Sequence, residues 1–168
     1  MTNDRDDLLV ALESGPEEAI AATKKIAQMG HHEATPKLLE LLRATPNGEL
    51  RNALALALSD LGEPRAFAEI VALLRQDRTL GNRGTLLYAL RAFDCSSIIP
   101  LLVDMVIEGN YEVAREAMAL LSSVDADMDD DEWQGYVDRL RVALASPNEE
   151  RKPLLLDLLE MLGAAPVG

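Results

Sequence analysis

The chain's two histidines meet a carboxylate in one place, His31-His32-Glu33. These are ligand types that bind zinc or iron, but a metal centre needs several of them converging. Two histidines confined to one turn leave the count short, so no metal site is assigned and the turn reads as exposed and solvated. Asp125, Asp127 and Asp129 repeat the spacing of the first three ligands of a calcium loop. The imitation fails where it discriminates: Asp130 stands where the loop's sharp turn needs glycine, and Tyr136 where its bidentate glutamate belongs. Ser59, Ser96, Ser97, Ser122 and Ser123 have no histidine near them in pattern, and neither a glycine-rich phosphate loop nor a nucleophile elbow is present. No catalysis and no cofactor are expected, so whatever the chain does it is expected to do by binding.

Composition narrows what is bound. Twenty-nine acidic against 16 basic residues give a net charge of −13, which disfavours nucleic acid and anionic membrane surfaces, because phosphate neutralisation needs a basic patch. A basic protein fits better. Six acids to one base over residues 1–22, and six to none over 125–132, hold 11 of the 13 excess negative charges. Cys95 is the single cysteine, which excludes an internal disulfide; it is expected at a helix end and inert. The opening MTNDRDDLLVALESG lacks the basic and apolar regions of a secretory signal, and no run approaches the roughly 18 apolar residues of a membrane span. A cytoplasmic protein is expected.

The elements that position these residues follow from periodicity. In Asn47 to Gly62, Leu50, Ala53, Leu54, Ala57, Leu58 and Leu61 fall at helical spacing on one stripe that ends at a glycine. Gly62 has counterparts at Gly30, Asp94, Asp125 and Gly163, each closing a pattern that ends in an apolar residue. Displaced by 32, Ala34, Leu38, Leu39, Leu41 and Leu42 become Ala66, Ile70, Val71, Leu73 and Leu74, and after 32 more the stripe returns at Ile98, Leu102, Val103, Met105 and Val106. Self-similarity at this period marks stacked helix pairs. The second helix of the fourth pair fits best with a shift of 31, and the acidic run 125–132 is the one real departure from period. A helix from Trp133 to Ala145 and a closing helix from Lys152 to Gly163 complete the series. Thr35 can cap the helix that Pro36 begins.

The expected fold is all-α: a single repeat domain over 1–168, an α-solenoid of about five antiparallel helix pairs with repeats near 5–30, 31–62, 63–94, 95–125 and 126–163. Leu54, Leu58, Leu61, Leu86, Leu90, Phe93, Leu121 and Leu159 are its expected core.

Helix pairs of this length, with PNGELRNALALALSDLG and SPNEERKPLLLDLLEMLG closing on Leu-Gly, resemble HEAT-like repeats of the short kind found in phycobilin-lyase-related proteins. The usual Asp-x-x-Val-Arg opening of the second helix is only partly kept, at Leu50-Arg51, and is Asn82-Arg83 and Val113-Ala114 elsewhere. The resemblance implies a superhelix whose second helices line a concave binding side, and a family that includes scaffolds, inhibitors, chromophore-lyase subunits and a few enzymes. HEAT-repeat iron hydroxylases use several facing His-Glu pairs, which this chain lacks. HEAT-like DNA glycosylases need a basic groove, which its composition opposes.

Removing the core stripe from the second helices leaves the row Lys24, Leu56, Tyr88, Ala119 and Asp157, flanked among others by Asn52, Arg91 and Arg115. Asn52, Leu56, Tyr88, Arg91 and Arg115 are the candidate partner-binding residues of this face, with Tyr88 and Arg91 as the anchor pair; the competing reading is that Leu56 and Tyr88 pack laterally between helices. Asp127, Asp129, Asp130 and Asp131 are the second candidate surface, an electrostatic hook for a basic partner or a solvated connection whose last acids favour the next helix. The closing helix is apolar nearly all round, and Leu154, Leu156 and Met161 are expected to be covered by the preceding helix, a second copy of the chain or a partner. The functional expectation is a non-enzymatic protein-interaction module, such as a small acidic inhibitor or immunity-type protein. The alternative is an assembly or lyase-like helper subunit of an enzyme.

Overall fold

The computed structural model describes residues 4–125, 127–146 and 148–164. Among them are ten α-helices and no strand: α1 Asp4–Ala11, α2 Pro16–Met29, α3 Thr35–Ala44, α4 Gly48–Asp60, α5 Arg65–Leu74, α6 Arg83–Ala89, α7 Ile99–Glu108, α8 Tyr111–Leu121, α9 Asp130–Leu144 and α10 Lys152–Met161. Consecutive helices pack as pairs, α1 on α2, α3 on α4, α5 on α6, α7 on α8 and α9 on α10. The all-α, helix-repeat architecture expected from the periodicity is what the chain adopts.

Local chemistry sets the helix ends. Prolines occupy the first turn of α2, α3, α7 and α10, where their missing N–H costs nothing. Asn47, Asn110 and Asp129 turn their side-chain oxygens onto the amides of Leu50, Val113 and Glu132 at 2.9, 2.9 and 2.8 Å, each satisfying a donor that a helix start leaves orphaned. Gly30, Gly62 and Gly163 are left-handed, with φ of 68°, 64° and 71°. Each closes its helix with the same pair of bonds; at Gly62 its own amide reaches the Ser59 carbonyl and that of Glu63 reaches Leu58.

An aspartate cannot take that conformation as readily as glycine. Where Asp94 stands in the glycine's place, α6 stops early at Ala89, a 3₁₀ turn carries Leu90–Ala92, and Phe93 runs extended. Phe93, expected in the core, is therefore only half-buried, its ring tilted against Phe67 at 6.0 Å. The other seven expected core leucines are buried. Two further expectations are corrected. Thr35 does not cap α3: a 3₁₀ turn over His32–Ala34 leads straight into the helix, so Thr35 is already helical and its hydroxyl donates to the His32 carbonyl. The helix expected from Trp133 begins three residues earlier, because Asp129 caps it.

The helices group into two compact units, Met1–Phe93 and Asp94–Gly168. In the first, α4 is central, packing on α2, α3, α5 and α6, and Leu38, Leu42, Leu54, Leu58, Ile70, Leu74, Leu86, Leu87 and Leu90 are wholly buried. Polar links also join its second and third helix pairs. Arg43 pairs with Glu69 at 2.6 Å, the Asn52 amide donates to Asn82 at 3.2 Å, and Arg65, bound to Glu63 at 2.8 Å, reaches the Thr35 hydroxyl at 3.5 Å. Arg78 donates to the Thr45 and Arg43 carbonyls at the end of α3, at 3.0 and 3.2 Å. Arg51 serves the same helix end from within: 1% exposed, it donates to the carbonyls of Thr45 and Pro46.

The second unit packs α7 and α8 against α9 and α10, with Leu102, Val106, Val137, Leu140, Leu158 and Leu159 wholly buried. The Trp133 indole N–H donates to the Leu162 carbonyl at 2.8 Å, tying the start of α9 to the end of α10. Arg139 pairs with Asp104, and Arg151 donates to the Ile107 carbonyl. The preceding helix thus covers part of the closing one, as expected, while Leu156 and Met161 stay exposed and Leu154 is half-buried.

Leu58 and Leu90 are buried between neighbouring pairs, whereas Leu8 lies on the terminal helix α1. Replacing Leu58 or Leu90 with alanine is expected to cost about 2 to 5 kcal/mol by denaturant titration. Leu8→Ala should cost less, because a terminal repeat has one neighbour; equal losses would contradict nearest-neighbour stacking.

Candidate interaction surfaces

Asn52 and Leu56 lie one turn apart on α4, and Tyr88 and Arg91 fall on α6 and the 3₁₀ turn that extends it. Since α4 and α6 are neighbours, the first unit carries four of the candidate residues on adjacent elements. Their states differ. Tyr88 is 51% exposed, with the Arg91 guanidinium carbon 4.6 Å from its ring centroid, a cation–π arrangement that presents an aromatic and a charge side by side. Leu56 is half-buried, in keeping with lateral packing. Asn52 is committed to Asn82, and its own Oδ1 is buried without a hydrogen bond. Arg115 belongs to the second unit, exposed on α8 and 3.4 Å from the Glu116 carboxylate.

The acidic residues of the second unit do two things. Asp129 caps α9, and Asp130, Asp131 and Glu132 fill its first turn, where the helix dipole favours negative charge. All four candidates, Asp127, Asp129, Asp130 and Asp131, are exposed. Among the described residues none of the six acids of 125–132 forms an ion pair. The N-terminal acids differ: Asp4 pairs with Lys25 at 3.0 Å, Asp6 with Arg5 at 2.8 Å and Glu13 with Lys37 at 2.8 Å. Half of the N-terminal acids are thus paired, while Asp7, Glu17 and Glu18 and all six acids of 125–132 are exposed without an ion pair among the described residues.

The residues weighed for chemistry stand apart from one another. His31 is half-buried rather than solvated, its Nδ1 3.2 Å from Glu33, while His32 is exposed. Among the described residues no group of three or more His, Cys, Asp or Glu is placed to hold a metal ion. Cys95 is buried, and burial, then the neighbouring Asp94 charge, pushes its thiol up. No helix among the described residues is long and apolar enough to cross a membrane.

Three features escaped sequence reasoning. Arg51 figured only as a remnant of a repeat motif, and nothing in its spacing announced a buried guanidinium without a carboxylate. Burial first, and Arg78 second, lower its affinity for its proton. Glu63, two residues before Arg65, holds its carboxyl at about 2, chiefly through the Arg65 hydrogen bond. Tyr136, met as a failed calcium ligand, is buried in the wall of a pocket formed by residues from all four helices of its unit.

The family model for HEAT repeats matches residues 6–91, half of the chain. No curated protein and no solved structure matches the chain.

Changing Asp127, Asp129, Asp130 and Asp131 to asparagine removes charge while leaving a capping side chain at 129. If a basic partner docks here, its association with the variant should slow and the salt dependence of the rate should flatten, as read by stopped-flow kinetics. Unchanged kinetics would remove this segment from the surface.

Proposed function

The chain belongs to the HEAT-repeat family, whose stacked helices commonly serve protein–protein interaction, and on that footing we propose that it is a small acidic inhibitor or immunity-type protein that masks a basic partner, without catalysis of its own. One observation carries the reading: six carboxylates over 125–132, exposed and unpaired among the described residues, beside a net charge of −13. Such a surface steers an oppositely charged protein and adds specificity. Tyr88 with Arg91, on the first unit, supplies the residue types that anchor interfaces. A reducing, cytoplasmic setting suits the lone buried Cys95.

The test is capture from source extract on the tagged chain. The expected result is a basic protein held at about 0.1 M salt and released by about 1 M, as the screening length falls from roughly 10 to 3 Å. The four-asparagine variant should not hold it. Recovery of a pigment or of a chromophore-lyase subunit, indifferent to salt and to those substitutions, would replace this reading with that of an enzyme's helper subunit.

A further inference from the structure

Beside the unpaired acids, the second unit contains a pocket of about 240 Å³. Val103 of α7, Leu121 of α8 and Leu158 and Met161 of α10 form its apolar wall, and Tyr136 of α9 adds an aromatic face. Met128, flanked by Asp127 and Asp129, lines it as well, so the segment that carries the charge also helps build the cavity. Ser122 at the end of α8 and Met161, 42% exposed, are its accessible members.

We propose that this pocket receives one large apolar side chain from a basic segment of the partner protein, whose flanking lysines or arginines are met by the 125–132 carboxylates. The inference rests on the basic-partner reading above and names its anchor point. Size is the first argument. Ligand sites for whole small molecules run from about 300 to 1,000 Å³, whereas this volume suits a single leucine, methionine or phenylalanine side chain. Wall chemistry is the second, since two methionines give flexible, polarisable surfaces that adapt to an apolar guest.

Charge is the third argument, and it selects the partner. Burial first, and then the charges of Glu132, Asp104 and Asp129, push the Tyr136 hydroxyl up, with Arg139 alone opposing them. An apolar guest that arrives with positive charge beside it is favoured by this field. A second copy of the chain would bring its own six unpaired carboxylates against these, so self-association here is opposed by repulsion.

The experiment uses the full chain and two short lysine-rich peptides of equal charge, one with a central leucine and one with serine in its place. Calorimetry and the fluorescence of Trp133, the only tryptophan, follow binding. The leucine peptide should bind roughly tenfold or more tightly than the serine peptide, as burial of one aliphatic side chain predicts. Ser122→Phe, placed on an exposed residue of the lining, should abolish that preference while both peptides still bind in a salt-sensitive way; Met161→Gln should weaken it. Equal binding of both peptides to the wild type would overturn the anchor and leave the basic-partner reading standing. Binding of neither peptide would count against that reading itself, and the inference would fall with it. A wild type that sediments as a dimer, with Ser122→Phe a monomer, would make the occupant a second copy and overturn the proposal.

Discussion

A helix pair cannot cover its own apolar face, so every repeat of this kind depends on the neighbour stacked against it. Leucines provide the cohesion, but apolar contact is non-directional and would tolerate neighbouring pairs sliding along one another. In the first unit the polar links between the second and third pairs supply the direction. Thr35, Glu63 and Arg65 meet at one end of α3 and α5, Arg43 and Glu69 join their length, and Arg78 grips the carbonyls at the far end. Arg51 completes that end from inside, where the Thr45 and Pro46 carbonyls, just past the negative pole of α3, take the place of a carboxylate. A buried guanidinium is tolerable only with such partners.

This arrangement also decides what is left for function. The basic side chains of the first unit are largely engaged with its own carbonyls and carboxylates, as are several of its acids. The densest run of carboxylates without an ion pair lies over 125–132, where the repeat period breaks and an inserted segment caps α9. The same insertion lends Met128 to the pocket of the second unit. Irregularity in the array and availability for binding coincide there, because residues that do not serve the repeat are not consumed by it.

Much of the fold was legible because its signal is repetitive. Helical spacing recurring at 32 residues identified the pairs, and the terminal glycines marked three left-handed caps that the structure confirms at Gly30, Gly62 and Gly163. Errors arose where local competition decides. Nothing in the sequence pattern says that Asp94 ends α6 through a 3₁₀ turn, or that His32–Ala34 winds into α3 and deprives Thr35 of a capping role. The candidate surfaces were legible in part. Tyr88 and Arg91 were paired by spacing and do meet, and the acidic run was plain. Asn52 was read as a partner-binding candidate, and its amide is engaged by Asn82, which lies 30 residues away. The pocket had no signal at all, since its walls come from separate helices and each wall residue reads as ordinary core.

That directional polar contacts hold the register between the second and third pairs is the claim on which the rest leans, and Glu63 gives the cleanest access to it. Its carboxyl sits at about 2 in the folded chain against an ordinary value of 4.5, held down by Arg65. Its stabilisation is therefore complete above pH 4.5 and lost as pH falls toward 2. Denaturant titrations of the wild type and of Glu63→Gln across that range measure it directly. The account predicts a wild type more stable at neutral pH, with the difference shrinking steadily as the solution is acidified through this window; a difference of zero at neutral pH, or one that does not change with acid, would contradict it.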